Sequence, residues 1–287
     1  MSNDFSNITI LGGGLLGGSL ALKLATLDPP PRVRLWARRN DTTDAARDIG
    51  IPGATSDLAA AVADADLLVL AVPVGSMAGL VSQALDAGLP AGCLVTDLGS
   101  VKRAPHQTIP PILEGRGITF IGSHPMAGSE RVGIDAADVR LFEGAACLLT
   151  NDEHAPPLRA EALERFWQSV GCRTTWLGAA AHDALVARIS HLPHIMAASA
   201  ARICLLDPAH GCFGGGGLRD TTRVSSGHPG MWAEILIENR EALLGPLRET
   251  LADLGEILAR LETADQESVR QWLATAKDRR DLLKPVC

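Results

Sequence analysis

Gly12-Gly13-Gly14-Leu15-Leu16-Gly17 follows a short β-rich run, Ile8 to Leu11, and opens a helical stretch. A Gly-x-Gly-x-x-Gly fingerprint in that context is the turn of a dinucleotide-binding βαβ unit. The first glycine permits the tight turn, the second lets backbone approach a pyrophosphate, and the third lets helix and strand pack closely. Gly12, Gly14, Leu15, Leu16 and Gly17 are therefore expected to line a cofactor diphosphate seated on the helix N-terminus. A glycine-rich turn with no ligand is the alternative, and the alternating strands and helices around it argue against that.

Runs at Ile8 to Leu11, Arg32 to Ala37, Leu67 to Val72, Cys93 to Asp97, Thr119 to Gly122, Ala146 to Thr150 and Cys172 to Leu177 read as strands. Several are apolar throughout, as strands covered by helices on both faces must be. Residues 1–178 are thus expected to form an α/β domain, a Rossmann-type doubly wound parallel sheet. From Ala179 onward Ala/Leu-rich segments replace the β-branched runs. Leu236, Leu243, Leu247, Leu251, Leu254, Leu258 and Leu261 recur at helical intervals and form one stripe on a long helix, and Thr263 to Leu283 reads as another. Residues 179–287 are expected to be an all-α domain that carries substrate contacts and makes a homodimer. Such a stripe serves self-packing or dimerisation equally. Asp28-Pro29-Pro30-Pro31 and the Gly214 to Gly217 run mark loops.

A net charge of -7 argues against a nucleic-acid partner, which needs a cationic face. The cysteines at 93, 147, 172, 204, 212 and 287 show no Cys-x-x-Cys spacing, so no zinc site or disulfide framework is expected and a cytoplasmic setting fits. The apolar run near the N-terminus is too short for a signal or a membrane span. No membrane partner and no appended regulatory domain are expected.

An NAD site carries an acid about 20 residues past the glycines, at the end of the second strand, to hold the ribose 2′-hydroxyl. Here Ala37 stands in that place, followed by Arg38 and Arg39, while Asp28 and Asp41 fall before and after it. The missing carboxylate removes repulsion against a 2′-phosphate, and the two guanidinium forks suit one. NADP⁺ is the expected cofactor, with NAD⁺ as the alternative; a solvated basic pair is the bland reading of the arginines. Val72-Pro73 ends a strand on the cofactor side of such a sheet and is a further candidate contact.

Four segments then follow in order: Asp97-Leu98-Gly99-Ser100-Val101-Lys102, Gly122-Ser123-His124-Pro125-Met126-Ala127-Gly128-Ser129-Glu130, Ser190-His191-Leu192-Pro193-His194, and Gly217-Leu218-Arg219-Asp220-Thr221-Thr222-Arg223. With the glycine fingerprint they resemble the prephenate/arogenate dehydrogenases across most of the chain. The resemblance implies oxidative decarboxylation of a cyclohexadiene acid, giving 4-hydroxyphenylpyruvate from prephenate or tyrosine from arogenate, with transfer of a hydride to NADP⁺ or NAD⁺.

His124 sits near a strand's carboxyl end, where open α/β sheets bind ligands, and imidazole is a neutral proton acceptor at cellular pH; it is expected to be the general base on the 4-hydroxyl. Ser100 is expected to orient His124 or the hydroxyl, or to cap a helix. By resemblance Ser123, His191 and Arg223 contact substrate, Arg223 through a carboxylate. Arg219 is a second candidate, or pairs with Asp220 or Asp207. Lys102 reads as a polar contact or a surface lysine, His194 as a buried, hydrogen-bonded histidine, and Asp183 of His182-Asp183 as a helix-start acid. His191 and His194 lack a third ligand, so no metal is expected. Two other classes share parts of this pattern. A β-hydroxyacid or imine reductase would bring a lysine between Lys102 and Lys277, where there is none. A non-catalytic NADP(H) sensor would need the glycines but not the histidines.

Overall fold

The computed structural model describes residues 4–128 and 131–283; Ser129 and Glu130 of the second segment, and Cys287, lie outside the described residues. Among the described residues nine strands run in chain order: β1 (Asn7–Leu11), β2 (Arg32–Trp36), β3 (Ala54–Thr55), β4 (Leu67–Leu70), β5 (Leu94–Asp97), β6 (Thr119–Phe120), β7 (Gly122–Pro125), β8 (Ala146–Thr150) and β9 (Arg173–Leu177). The first six form one parallel sheet in the order β3-β2-β1-β4-β5-β6. That is the dinucleotide-binding order, which reverses direction beside β1 and opens a crevice at the strands' carboxyl ends.

Helices α1 (Leu15–Leu24), α2 (Asn40–Asp48), α3 (Leu58–Val62), α4 (Val74–Asp86), α5 (Arg103–Thr108) and α6 (Pro110–Leu113) lie between those strands in the chain, and α7 (Pro157–Val170) joins β8 to β9. Side chains alternate across a strand. Ile8 and Ile10 of β1 pack with Leu20, Leu24, Phe166 and Trp167, whereas Leu11 joins Leu68, Leu70, Met77, Val81 and Val95 in a second core. Both faces of the sheet are thereby dry, which accounts for strands without polar alternation.

The seven strands read from sequence do not share one sheet. The expected strand from Thr119 to Gly122 breaks at Ile121, and β7 leaves to pair antiparallel with β8, which pairs parallel with β9. Ile121 donates its last bond to Val95 of β5. Gly122 makes the crossing, because a Cβ there would stand 2.4 Å from Thr150 Oγ1 and 2.9 Å from Lys102 Cδ. His124 therefore lies within a strand of the small sheet and not beyond the end of the large one.

Among the described residues after Leu177 the regular structure is helical: α8 (Ala179–Val186), a π turn (Ala187–His191), α9 (Leu192–Cys204), α10 (Gly216–Thr222), α11 (Pro229–Glu238), α12 (Arg240–Glu262) and α13 (Gln266–Asp281). Packing divides the chain later than this change in character, since Met1–Asn239 form one compact unit and a second starts at Arg240. The leucine stripe is also split. Leu236 belongs to α11, and on α12 Leu251, Leu254, Leu258 and Leu261 are exposed. Among the described residues no helix is long and apolar enough to cross a membrane.

The glycine turn is built by close approach. Gly12 sits at φ +128°, and a Cβ on Gly17 would lie 2.0 Å from the Gly12 carbonyl oxygen. At Gly14 a Cβ would meet nothing within 4 Å, and no side chain caps α1 there. Gly17→Ala is expected to destabilise the fold by roughly 1–3 kcal/mol, as a forced displacement of helix from strand. Gly14→Ala should leave the melting temperature unchanged yet weaken dinucleotide binding, read by calorimetric titration; equal melting temperatures for the two variants would refute this account of the turn.

Candidate active site

The site grows from the end of β5. Asp97 is fully buried, and its carboxylate accepts the amide of Gly99 at 2.9 Å, the amide of Ser123 at 3.1 Å and the ammonium of Lys102. Lys102 is fully buried too and donates to the carbonyls of Gly99 (2.9 Å) and Val101 (3.1 Å), so the surface-lysine reading is corrected. The Lys102 amide donates 2.7 Å to Asp183 Oδ1 and the Arg103 amide 3.0 Å to Asp183 Oδ2. Asp183, on α8, thus caps the first turn of α5, a different helix from the one its sequence position suggested.

From Asp183 a relay runs inward. His182 Nδ1 lies 2.8 Å from Asp183 Oδ1, and His182 Nε2 lies 2.9 Å from His124 Nδ1. Burial would raise the Asp183 carboxyl, but hydrogen bonds from His182 and from the Arg103 and Lys102 amides outweigh it and hold the group below its ordinary 3.8. An ionised carboxylate only accepts, so His182 carries its proton on Nδ1 and offers a lone pair at Nε2. His124 must then donate from Nδ1, which leaves the lone pair on its Nε2. Burial, reinforced by the charges of Lys102, His182 and His191, pushes the His124 pKa well below 6.5. The ring is therefore a neutral acceptor whose orientation is fixed by its other nitrogen.

Ser123 is displaced from the role expected of it. Its hydroxyl is fully buried, shares a 2.7 Å bond with Thr96 and accepts 2.9 Å from Trp167 Nε1. It ties β7 to β5 and α7 and presents nothing to a ligand. Ser100 is half-buried on the loop after β5, makes no side-chain hydrogen bond among the described residues and does not cap α5.

His191 ends the π turn, and its pKa is pushed down to about 4 by burial against the opposing charge of Asp183. His194 stacks on Trp232 with ring centroids 3.5 Å apart. Its Nδ1 is buried without a hydrogen-bond partner among the described residues, although the Val224 backbone engages the ring, so the expected hydrogen-bonded histidine is only partly satisfied. Arg219 on α10 and Arg223, opening the 3-10 turn Arg223–Ser226, are exposed and make no ion pair among the described residues. The pairs expected for Arg219 are absent; Asp207 faces His210 instead, at 3.5 Å.

At the other end of the crevice, Val72 packs on the glycine turn, its Cγ1 3.1 Å from where a Gly12 Cβ would be, and Pro73 precedes α4. Ala37 is buried. Arg38 is exposed and has no ion pair among the described residues, whereas Arg39 pairs with Asp41 (3.2 Å) and donates to Thr42 (3.3 Å). Sequence reasoning missed Asp97, Trp232 and Asn239 as site residues; Asp97 stood inside a quoted motif, and Trp232 and Asn239 carried no signal at all.

Family models described as prephenate dehydrogenase, nucleotide-binding domain, and prephenate dehydrogenase, dimerization domain, match residues 20–176 and 178–275. A cyclohexadienyl dehydrogenase of Zymomonas mobilis is 32% identical over 98% of this chain and 97% of its own. Prephenate dehydrogenase from Aquifex aeolicus, solved with hydroxyphenyl propionate and NAD⁺, is 27% identical with a TM-score of 0.85 over 98% of this chain and 99% of that one. Synechocystis arogenate dehydrogenase is 27% identical with a TM-score of 0.79 over 96% and 99%.

His124, His182, His191 and His194 all hold protons more weakly than free histidine. Below about pH 6.5 the unfolded chain therefore binds more protons than the folded one, so stability is full above that pH and declines as pH falls toward the lowered folded values. The melting temperature is expected to drop between pH 7 and 5, and to drop less in His191→Gln. A melting temperature that stays level across that window would contradict the neutral cluster.

Proposed function

This chain belongs to the prephenate dehydrogenase family, and on that premise we propose how its residues divide the work. The enzyme oxidatively decarboxylates a cyclohexadiene acid with an NAD(P)⁺ cofactor. The observation that carries the assignment of roles is the Asp183–His182–His124 relay, which leaves one lone pair, on His124 Nε2, without a partner among the described residues. Bound cofactor supplies the hydride acceptor for the ring carbon that bears the hydroxyl. His124 takes the hydroxyl proton as that oxygen becomes carbonyl-like, and loss of CO₂ makes the ring aromatic. The positive charge gained by His124 is balanced through His182 by the ionised Asp183. Ser100 orients the hydroxyl. His191 contacts the substrate, and Arg223, with Arg219 beside it, takes carboxylates in bidentate forks.

The residues fit a dinucleotide. The uncapped N-terminus of α1 and the open space beside Gly14 form a diphosphate cradle, with Gly12, Leu15, Leu16 and Gly17 beneath it and Val72 and Pro73 at its side. We assign NADP⁺ as the preferred form on Ala37 and on Arg38, which has no ion pair among the described residues, with Arg39 secondary because Asp41 already engages it. Residues 1–178 serve the cofactor and 179–287 the substrate and a homodimer, in which the exposed leucines of α12 suit a second copy.

Absorbance of reduced nicotinamide, followed with prephenate and arogenate each crossed against NAD⁺ and NADP⁺, tests the reading. Turnover is expected with at least one substrate and faster with NADP⁺; a strong NAD⁺ preference would overturn the Arg38 argument alone. His124→Asn should lower kcat by about 10²–10⁴-fold, the worth of a positioned base, without weakening cofactor binding. Unchanged steady-state rates in that variant would sink the assignment of the base.

A further inference from the structure

His191 is 1% exposed, and its Nδ1 lies 2.9 Å from Asn239 Nδ2. The same Asn239 nitrogen lies 2.9 Å from the backbone oxygen of Asp183. A carbonyl oxygen has no proton to give, so the Asn239 atom facing it is the amino group; the reversed amide would set two oxygens together in a buried place. That amino group has two hydrogens. One goes to Asp183, and the other goes to His191 Nδ1, which must present a lone pair. The His191 proton then resides on Nε2. Asn239 is in turn fixed, being 3% exposed and donating its own amide 3.0 Å to Ile235 at the end of α11. Trp232 stands edge-on to the His191 ring at 6.2 Å and 86°.

We infer that Asn239 is a positioning residue that presets His191 as the Nε2–H tautomer, opposite to that of His124, so the site offers substrate one ring lone pair and one ring N–H. The inference rests on the reading that both histidines face one substrate. A lone pair suits the hydroxyl that must lose its proton, and an N–H suits an oxygen that can only accept, a carboxylate or a keto group. Both settings originate at Asp183: its carboxylate fixes His124 through His182, and its backbone oxygen fixes His191 through Asn239. The inverse tautomer of His191 would aim a lone pair at an anion.

Long-range proton–nitrogen NMR spectra of the full chain, labelled at histidine and assigned with His191→Gln, read which ring nitrogen is protonated with no substrate present. The expected result is protonated Nε2 for His191 and protonated Nδ1 for His124, with the His191 preference relaxing to a mixture in Asn239→Ala. That variant should raise substrate KM roughly tenfold, as for one lost hydrogen bond to a charged group. Its kcat should stay within about threefold, the signature of uniform binding removed, and the cofactor KM should not move. Asn239→Asp, which can only accept from His191, should be worse than alanine. A His191 proton on Nδ1 in the unaltered protein overturns the inference, as does a native KM in Asn239→Asp. The spectrum of the unaltered protein decides even where a variant does not fold. Failure of the functional reading shows separately, as no turnover with any substrate.

Discussion

The buried pair of Asp97 and Lys102 is the joint from which the site hangs. Two charges withdrawn from water cost several kcal/mol each, and they persist only where geometry and extra hydrogen bonds offset that loss. Here the three ammonium hydrogens have three acceptors, Asp97 and the carbonyls of Gly99 and Val101, while Asp97 also receives the amides of Gly99 and Ser123. The pair thereby fixes β5 to β7, and the Lys102 amide fixes the same loop to α8 through Asp183. His124 and His182 meet because their strand and helix are both tied to this one loop. Loss of either charge alone would strand the other and cost about 3–5 kcal/mol. Lys102 also lowers the proton affinity of His124, so the residue that ties these elements together helps keep that imidazole neutral.

Asp183 extends that order by using all three of its oxygens. The carboxylate caps α5 and orients His182, and the backbone oxygen accepts Asn239. Adjacent helical residues do not ordinarily face each other. The contact between His182 and Asp183 forms because His124 and the α5 amides pull the two side chains toward one another from outside the helix. A feature that reads locally as a helix-start acid is thus a tertiary junction.

What the sequence made legible was local. The glycine fingerprint, the first strands and the helical second half follow from spacing and periodicity that neighbouring residues carry themselves. The split at Ile121 did not, because β6 has only two residues and the chain passes from Phe120 through Ile121 into Gly122 with no proline or charged residue to mark the break. Ser123 was misread for a reason that strand geometry supplies: consecutive residues point to opposite faces, so a strand that aims His124 at His182 must aim Ser123 at Trp167. Lys102 read as either a polar contact or a surface lysine because lysines are usually exposed, and its burial depends on Asp97 and α8 together. Asn239 carries no motif, and its importance comes from partners 48 and 56 residues earlier in the chain.

The site separates groups by how they hold charge. Imidazole changes state near neutrality, so its state must be set by burial and by fixed partners, and His124, His182 and His191 are all deep in the structure. Guanidinium stays charged in any setting and needs no such tuning. Arg38, Arg219 and Arg223 accordingly sit at the surface without ion pairs among the described residues. Exposed forks stay hydrated and so carry no standing desolvation cost of buried charge. Cations placed among the histidines would instead lower their proton affinity further. Lys102, which does act on His124, is tolerated because Asp97 answers it within the same loop.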